Sequence, residues 1–241
     1  MIILYRIYQI IIMIPLMLVL TLLTALTVSI GSILFGGRFW GYWPAVVWAR
    51  LMAWLSFVSV SVKGRDNIEP GRPYVFVANH QGAYDIFAIY GWLGHNFKWM
   101  MKMSLRKIPL VGYACYKAGH IYVERHNPAG IRKTMEDAER QLNKNMSVVV
   151  FPEGSRSANG RVGTFKRGAF LLATEFSLPV VPVTVEGSYK IMPRQAKLPH
   201  WGHITITIHK PIVAPEGGYD LPALMAESRA IICKDLGQET N

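Results

Sequence analysis

The chain is poor in charge, and poorest in negative charge. Charged residues fill 17% of its 241 positions, with 15 Asp and Glu against 26 Lys and Arg and a formal net charge of +11. An ordinary soluble domain carries about 25% charged residues. Apolar residues reach 51%, and oiliness with strong positive charge points to an anionic membrane surface ahead of nucleic acid. The basic residues form no recognisable nucleic-acid-reading module, which argues against a nucleic-acid partner. The two cysteines, Cys115 and Cys233, are far apart and lack ligand spacing. They give no disulfide framework and no metal site, and both read as reduced and structural. No Gly-x-Ser-x-Gly occurs, so the strained serine turn of α/β hydrolases is excluded. Internal repeats and low-complexity tracts are absent too.

One further absence is positional. No charged residue lies between Arg6 and Arg38, and Ile10 to Ile30 is nearly all Ile, Leu, Met, Val and Thr. A membrane span needs roughly 20 such residues. A secretory signal has a shorter apolar core, about 7–15 residues, and ends in a small-residue cleavage site. Gly36-Gly37-Arg38 does not fit that pattern, so the segment reads as a retained membrane element, with Pro15 as a candidate kink. A second apolar stretch, Phe39 to Val62, holds Trp40, Tyr42, Trp43, Trp48 and Trp54 around Arg50. Tryptophans with a central arginine suit an interface better than a hydrocarbon centre. The expectation is a two-helix membrane hairpin over residues 1–62, its second helix lying along the membrane or resting on a catalytic domain of residues 63–241. Lys63 and Arg65 follow the hairpin and favour a cytoplasmic position for that domain.

Beyond the turn Asn67-Ile68-Glu69-Pro70-Gly71-Arg72-Pro73, strands and helices alternate. Tyr74–Ala78, Phe97–Met101, His120–Val123, Ser147–Phe151, Val180–Val185 and His203–His209 read as strands. Gly82–Leu93, Leu110–Lys117, Pro128–Lys144, Phe165–Phe176 and Pro222–Leu236 read as helices. The continuous apolar run Ser147–Phe151 suggests burial on both faces. The fold class expected is α/β: a single domain with a central, mostly parallel or mixed sheet flanked by helices, preceded by the N-terminal hairpin. Active residues in such folds gather at the carboxyl ends of strands. His80 and Ser155 both sit just past strand ends.

Asn79-His80-Gln81-Gly82-Ala83-Tyr84-Asp85 sets an imidazole and a carboxylate five residues apart after a strand. A helix starting near Gly82 brings Asp85 back against one ring nitrogen and leaves the other as a proton acceptor, the arrangement of hydrolase triads. Histidine titrates near neutrality. The serine is missing, since Ser104 carries no elbow signature, so the simplest inference is that the substrate supplies the hydroxyl. A structural His–Asp bond is the bland alternative. Phe151-Pro152-Glu153-Gly154-Ser155-Arg156-Ser157 is a second loop after a strand. Gly154 permits a turn or close backbone approach, and Arg156 offers a planar fork for phosphate or carboxylate. Glu153 is placed to orient Arg156 or to bind a substrate hydroxyl. Phe165-Lys166-Arg167-Gly168-Ala169 opens a helix with adjacent cations, an anion site in kind. Arg125 ends the strand segment Gly119-His120-Ile121-Tyr122-Val123-Glu124-Arg125 and can reach the same mouth.

The sequence resembles the lysophosphatidic acid and glycerol-3-phosphate acyltransferase family of phospholipid synthesis. Its Asn-His-x-x-x-x-Asp motif matches Asn79, His80 and Asp85. Its Gly-x-Ile-Phe-Ile-x-Arg motif resembles Gly119, Ile121, Tyr122, Val123 and Arg125. Its Phe-Pro-Glu-Gly-Thr-Arg-Ser motif matches Phe151, Pro152, Glu153, Gly154, Arg156 and Ser157, with Ser155 for threonine. Its Val-Pro-Val strand falls on Val181, Pro182 and Val183, its Phe-Lys-x-Gly element on Phe165, Lys166 and Gly168, and Lys107-Ile108-Pro109-Leu110-Val111-Gly112 also resembles it. The resemblance implies transfer of a fatty acyl group from acyl carrier protein or coenzyme A to the sn-2 hydroxyl of 1-acyl-glycerol 3-phosphate. On that resemblance His80 would act as base and Asp85 would orient it. By the same resemblance Arg125, Arg156 and Lys166 would hold the phosphate, Glu153 would help to place the glycerol, and backbone amides near Gly154 are candidates to face the oxyanion. It implies no metal or other cofactor, anionic membrane lipids as partners, and the cytoplasmic face of a bacterial inner membrane. Another lysolipid acceptor such as lyso-ornithine lipid, glycerol 3-phosphate, hydrolysis by water, and a membrane-tethered basic binding domain stay open as alternatives. The sequence carries no signal of oligomeric state.

Overall fold

In the computed structural model the described residues are 2–123, 128–142, 146–215, 218 and 220–239. The chain begins with α1 (Ile2–Tyr8), a π-helical turn (Gln9–Met13) and α2 (Ile14–Phe35), followed by α3 (Trp43–Leu55), β1 (Val58–Lys63), β2 (Val75–Ala78) and α4 (Asp85–Trp92). Next come β3 (Phe97–Lys102), α5 (Val111–Lys117), β4 (Ile121–Val123), α6 (Pro128–Leu142) and β5 (Ser147–Val150). The remaining elements are α7 (Gly168–Glu175), β6 (Val180–Glu186), α8 (Ser188–Ile191), β7 (Gly202–Ile208) and α9 (Leu221–Asp235).

Seven strands form one mixed sheet in the order β1-β7-β6-β2-β5-β3-β4. β6 and β7 pair antiparallel, and the other neighbours are parallel. β2 and β5 lie at the centre, and every residue of both is buried. Their unbroken apolar runs are what a strand covered on both faces requires. β7 instead alternates, with Ile204, Ile206 and Ile208 buried. One face of the sheet packs on α3 and α4 through Phe76, Phe97, Ala49 and Ile89. The other packs on α6, α7 and α9 through Val75, Val148, Ala138, Leu172 and Ile232. The α/β class and the mixed sheet flanked by helices agree with the sequence expectation.

The hairpin expectation does not hold. The amino end is one long helix, Ile2–Phe35, and among the described residues it is the helix long and apolar enough to cross a membrane. Pro15 does not break it. The π-helical turn Gln9–Met13 lies immediately before Pro15, and the helix runs on through the proline as α2. The helix stops only at Gly36, at φ +88°. The second apolar stretch is not a returning membrane arm. Its helix α3 buries Ala45, Val46, Ala49, Met52 and Ala53 in the domain core, while Trp43, Val47 and Trp54 stay exposed. Small residues along the buried face let α4 approach closely, and Arg50 Nε donates to Gly91 O at 2.9 Å. Val58 to Val62 of the same stretch belongs to β1.

The long helix is held to the domain along its length. Near its start, Tyr5 OH donates to Ser56 O at 2.9 Å and Gln9 Nε2 to Pro199 O at 2.7 Å. In its middle, Trp48 Nε1 donates to Thr21 Oγ1 at 3.0 Å. Towards its end, Ala25 and Val28 pack on Ala114 of α5 and on Ala118 just after it. Its outer face keeps Ile3, Leu4, Ile11, Leu18, Leu23 and Leu34 exposed.

Candidate active site

The first motif is built where β2 ends. Asn79 extends the strand with its side chain: Nδ2 donates to Val185 O at 2.8 Å, and Val185 N donates to Oδ1 at 2.7 Å. This amide copies a backbone ladder step and fixes residue 80 at the carboxyl end of the sheet, beside β6. The chain then turns into α4, and Asp85 opens that helix fully buried. Its Oδ2 lies 2.8 Å from His80 Nδ1 and also accepts the amides of Gln81 at 2.7 Å and Gly82 at 2.9 Å. Three donors on one carboxylate oxygen at a helix start hold a negative charge where the helix dipole favours it. Gly82 is required sterically, because a Cβ there would meet Ser188 O at 2.5 Å.

Phe151 supports the ring of His80. The two planes lie 10° apart with centroids 4.0 Å apart, and Trp99 stacks behind Phe151 at 5.3 Å. The His80 side chain is 13% exposed, so only an edge reaches the surface. Nδ1 is committed to Asp85, and Nε2 has no hydrogen-bond partner among the described residues. In this arrangement Nδ1 carries the proton and Nε2 is free to accept one.

The second motif clamps the first. Glu153 Oε1 accepts His80 N at 2.8 Å, and its Oε2 accepts Gly163 N at 2.8 Å. Ser157 N donates to His80 O at 2.7 Å, and Gln81 Nε2 donates to Gly160 O at 2.8 Å. Both carboxylate oxygens of Glu153 are therefore engaged by backbone, and Arg156 is not its partner. Gly154 turns the loop at φ +75°, a value that glycine adopts without strain, and its amide donates to Phe151 O at 3.0 Å. Ser155 is exposed and Arg156 half-buried. Lys166 N is tied to Pro152 O at 2.9 Å while the rest of the residue is exposed, just before α7. The side chains of Arg156 and Lys166 have no hydrogen-bond or ion-pair partner among the described residues. Arg125 lies outside the described residues.

His80, Asp85 and Glu153 are thus brought together, and Gly154, Ser155 and Arg156 lie on the loop that Phe151 anchors beneath the imidazole. Sequence reasoning gave no role to Phe151 as the ring support, to Trp99 behind it, or to Gln81 and Gly163 as ties. Asn79 and Phe151 had a visible signal, since both sit inside the motifs. Trp99 and Gly163 had none.

Burial raises the Glu153 carboxyl above its ordinary value, and the amides of His80 and Gly163 oppose that shift. The sign follows directly. Below the ordinary glutamate range both folded and unfolded chains are protonated. Between that range and the higher folded value, unfolding releases a proton, so stability falls as pH rises through the window. Glu153→Gln removes this slope. It also leaves one of the two amides facing an NH₂ group, at about 1–3 kcal/mol. Melting curves at a series of pH values are expected to show a lower midpoint and a flatter pH response for the variant.

Together these features make a mixed α/β sheet with a His–Asp pair at the mouth of a central strand. The chain belongs to the Acyltransferase family, whose model matches residues 59–186. A chloroplastic 1-acyl-sn-glycerol-3-phosphate acyltransferase of Arabidopsis thaliana is 34% identical over 194 residues, covering 80% of this chain and 53% of that protein. The human 1-acyl-sn-glycerol-3-phosphate acyltransferase alpha is 36% identical over 134 residues, covering 55% of this chain and 47% of the relative. The crystal structure of the 1-acyl-sn-glycerophosphate acyltransferase of Thermotoga maritima matches with a TM-score of 0.72 at 25% identity, over 93% of this chain and 97% of that one. The chain spans about half the length of the curated relatives it matches.

Proposed function

We propose that this protein is a 1-acyl-sn-glycerol-3-phosphate O-acyltransferase, moving a fatty acyl group from an acyl thioester to lysophosphatidic acid to give phosphatidic acid. The observation that carries the reading is the His80 Nδ1–Asp85 Oδ2 contact at 2.8 Å with Nε2 left open, in a chain of the Acyltransferase family. His80 Nε2 takes the proton of the sn-2 hydroxyl as its oxygen attacks the thioester carbonyl. Asp85 stabilises the imidazolium. The tetrahedral intermediate collapses, the carbon–sulfur bond breaks, and the imidazolium returns the proton to the leaving thiolate. Ester forms and thiol leaves, so atoms and charge balance. Glu153 acts one step back, holding the backbone of residue 80. Gly154 shapes the turn, its amide already committed to Phe151, which leaves the amides after it, at Ser155 and Arg156, as donors to the oxyanion.

Arg156 and Lys166 grip the phosphate, joined by Arg125 on the strength of the family motif. Cations with no other partner are suited to a dianion. Arg156→Ala is expected to raise KM for lysophosphatidic acid about tenfold or more while changing kcat little, the scale of one lost charge-assisted hydrogen bond. Steady-state kinetics with varied lysolipid check this, and a fall in kcat alone would contradict the assignment.

The long helix supports a placement at one leaflet, on the cytoplasmic face of a bacterial inner membrane. A helix of roughly 50 Å bonded to the domain at Tyr5, Gln9 and Thr21 and packed on it at Ala25 and Val28 lies flat against the domain with its exposed apolar face turned outward. Lysophosphatidic acid then meets the site without moving its acyl chain through water, where each CH₂ costs about 0.8 kcal/mol. Anionic lipids are the expected membrane partners of a +11 chain. Purified protein given acyl carrier protein and coenzyme A thioesters with lysophosphatidic acid, glycerol 3-phosphate or a lyso-amino lipid tests the reading. Phosphatidic acid is the expected main product, and preference for a phosphate-free acceptor would overturn it.

A further inference from the structure

Apart from the His80–Asp85 loops, a cleft of about 810 Å³ opens between α5, α6 and the end of the long helix. Six cations line it: Arg38, Lys98, Arg106, Lys117, Lys133 and Arg140. Asp137 is the one acid among its described lining residues, and it is already paired with Arg140. Lys98 is only 2% exposed, and its Nζ donates to Gly37 O at 2.9 Å. Arg106 lies over the Tyr116 ring at 4.4 Å and the Tyr122 ring at 5.8 Å, which fixes its guanidinium by cation–π contact. His120 also lines the cleft but adds no charge. Its ring bonds Tyr90 OH and Trp99 N, and burial, with Lys98 nearby, pushes its pKa down to about 3.

Clustered lysines on a basic chain are ordinarily a solvated surface. This cluster differs in being concave, in including a buried lysine, and in holding one acid against six cations among its described lining residues. Like charges in a concave wall repel one another and focus their field on an incoming anion. The volume is that of a small-molecule pocket, about 300–1,000 Å³, and exceeds what a single phosphate fills. Gln141, Gly119 and the tyrosines add neutral contacts for an organic part. Arg106 follows the carboxyl end of β3, and β3 neighbours β5, which runs into the Phe151 loop under His80. The Arg106 end of the cleft is therefore on the same rim of the sheet as the reacting pair.

We propose that this cleft binds the phosphates of a nucleotide-like ligand, namely the phosphorylated adenosine end of a coenzyme A thioester. The assignment rests on the acyl-thioester reading above and deepens it by naming where the donor is held. Several phosphates at one end of a small molecule match six cations better than the single phosphate of a lipid headgroup, although the chemistry is shared.

The test uses the full chain in detergent and the double variant Lys133→Ala, Arg140→Ala, which alters two exposed side chains of α6. KM for acyl-coenzyme A is expected to rise about tenfold or more, the scale of one lost charge-assisted hydrogen bond, with kcat and the KM for lysophosphatidic acid unchanged. Calorimetric titration with free coenzyme A is expected to weaken by the same factor, and the KM for acyl-pantetheine, which lacks phosphate, to stay constant. An unchanged KM for acyl-coenzyme A, or an equal rise with acyl-pantetheine, overturns the proposal. Weaker binding to phosphatidate vesicles with donor KM unchanged overturns it in favour of a lipid headgroup site. A wild type that transfers acyl groups only from a carrier protein and does not bind coenzyme A overturns the cleft assignment but not the reaction. A wild type that uses no thioester at all refutes the reaction, and the coenzyme A titration still decides the cleft.

Discussion

His80→Ala is expected to lower kcat for acyl transfer by about 10²–10⁴-fold, the usual contribution of a positioned general base. Nothing in the described geometry offers a substitute. Nε2 is the open nitrogen, Asp85 is fully buried, and both oxygens of Glu153 are occupied by backbone amides. The fold is expected to survive. The loop is held by the backbone of residue 80, through its amide to Glu153 and its carbonyl to Ser157, and alanine keeps both. The losses are one ring stacked on Phe151 at a site 13% exposed and one of the three donors to Asp85 Oδ2, whose other two, the amides of Gln81 and Gly82, remain. Kinetics together with a melting curve separate the outcomes. Lost turnover with a largely retained midpoint supports the base, whereas a collapse of the midpoint assigns His80 to structure.

Asp85→Asn is expected to cost nearly as much, about 10²–10⁴-fold in kcat, with a much smaller change in KM. Asp85 Oδ2 accepts from His80, Gln81 and Gly82, and Oδ1 is buried without a partner. A carboxamide can keep its oxygen on those donors, so the loop geometry is largely retained. Its NH₂ then lies buried where nothing accepts from it, and the imidazolium formed during the reaction loses its counter-charge. The damage therefore falls on the charged transition state more than on the bound substrate. Arg156→Ala is expected to show the opposite bias. Equal effects of the two substitutions on kcat and KM would remove the division between proton transfer and phosphate grip.

The sequence made some of this legible and hid the rest for physical reasons. Val75–Ala78 and Ser147–Val150 read as strands because strands covered on both faces need unbroken apolar runs. The His80–Asp85 pair was visible because its partners are local, five residues apart across a helix start. Glu153 was visible as a candidate but not in its function. Its partners are the backbone amides of residues 80 and 163, and a backbone donor leaves no mark in the side-chain sequence. The second apolar stretch misled for another reason. Trp43, Val47 and Trp54 are apolar on an exposed face, while Ala45, Ala49 and Ala53 are apolar in the core, so two different environments merged into one membrane-like run. A correcting signal was present at its end: Val58-Ser59-Val60-Ser61-Val62 alternates with the period of a strand, as β1 confirms.

The most direct test of the central claim is the fate of the thioester with and without the lipid alcohol. Purified protein in lipid vesicles is given labelled acyl thioester, and free thiol, free fatty acid and phosphatidic acid are measured together. Thiol release is expected only when lysophosphatidic acid is present, in equal amount to the phosphatidic acid formed, and to disappear in His80→Ala. Thiol release at the same rate without the lysolipid, with free fatty acid as product, would show that water is the nucleophile and contradict the account.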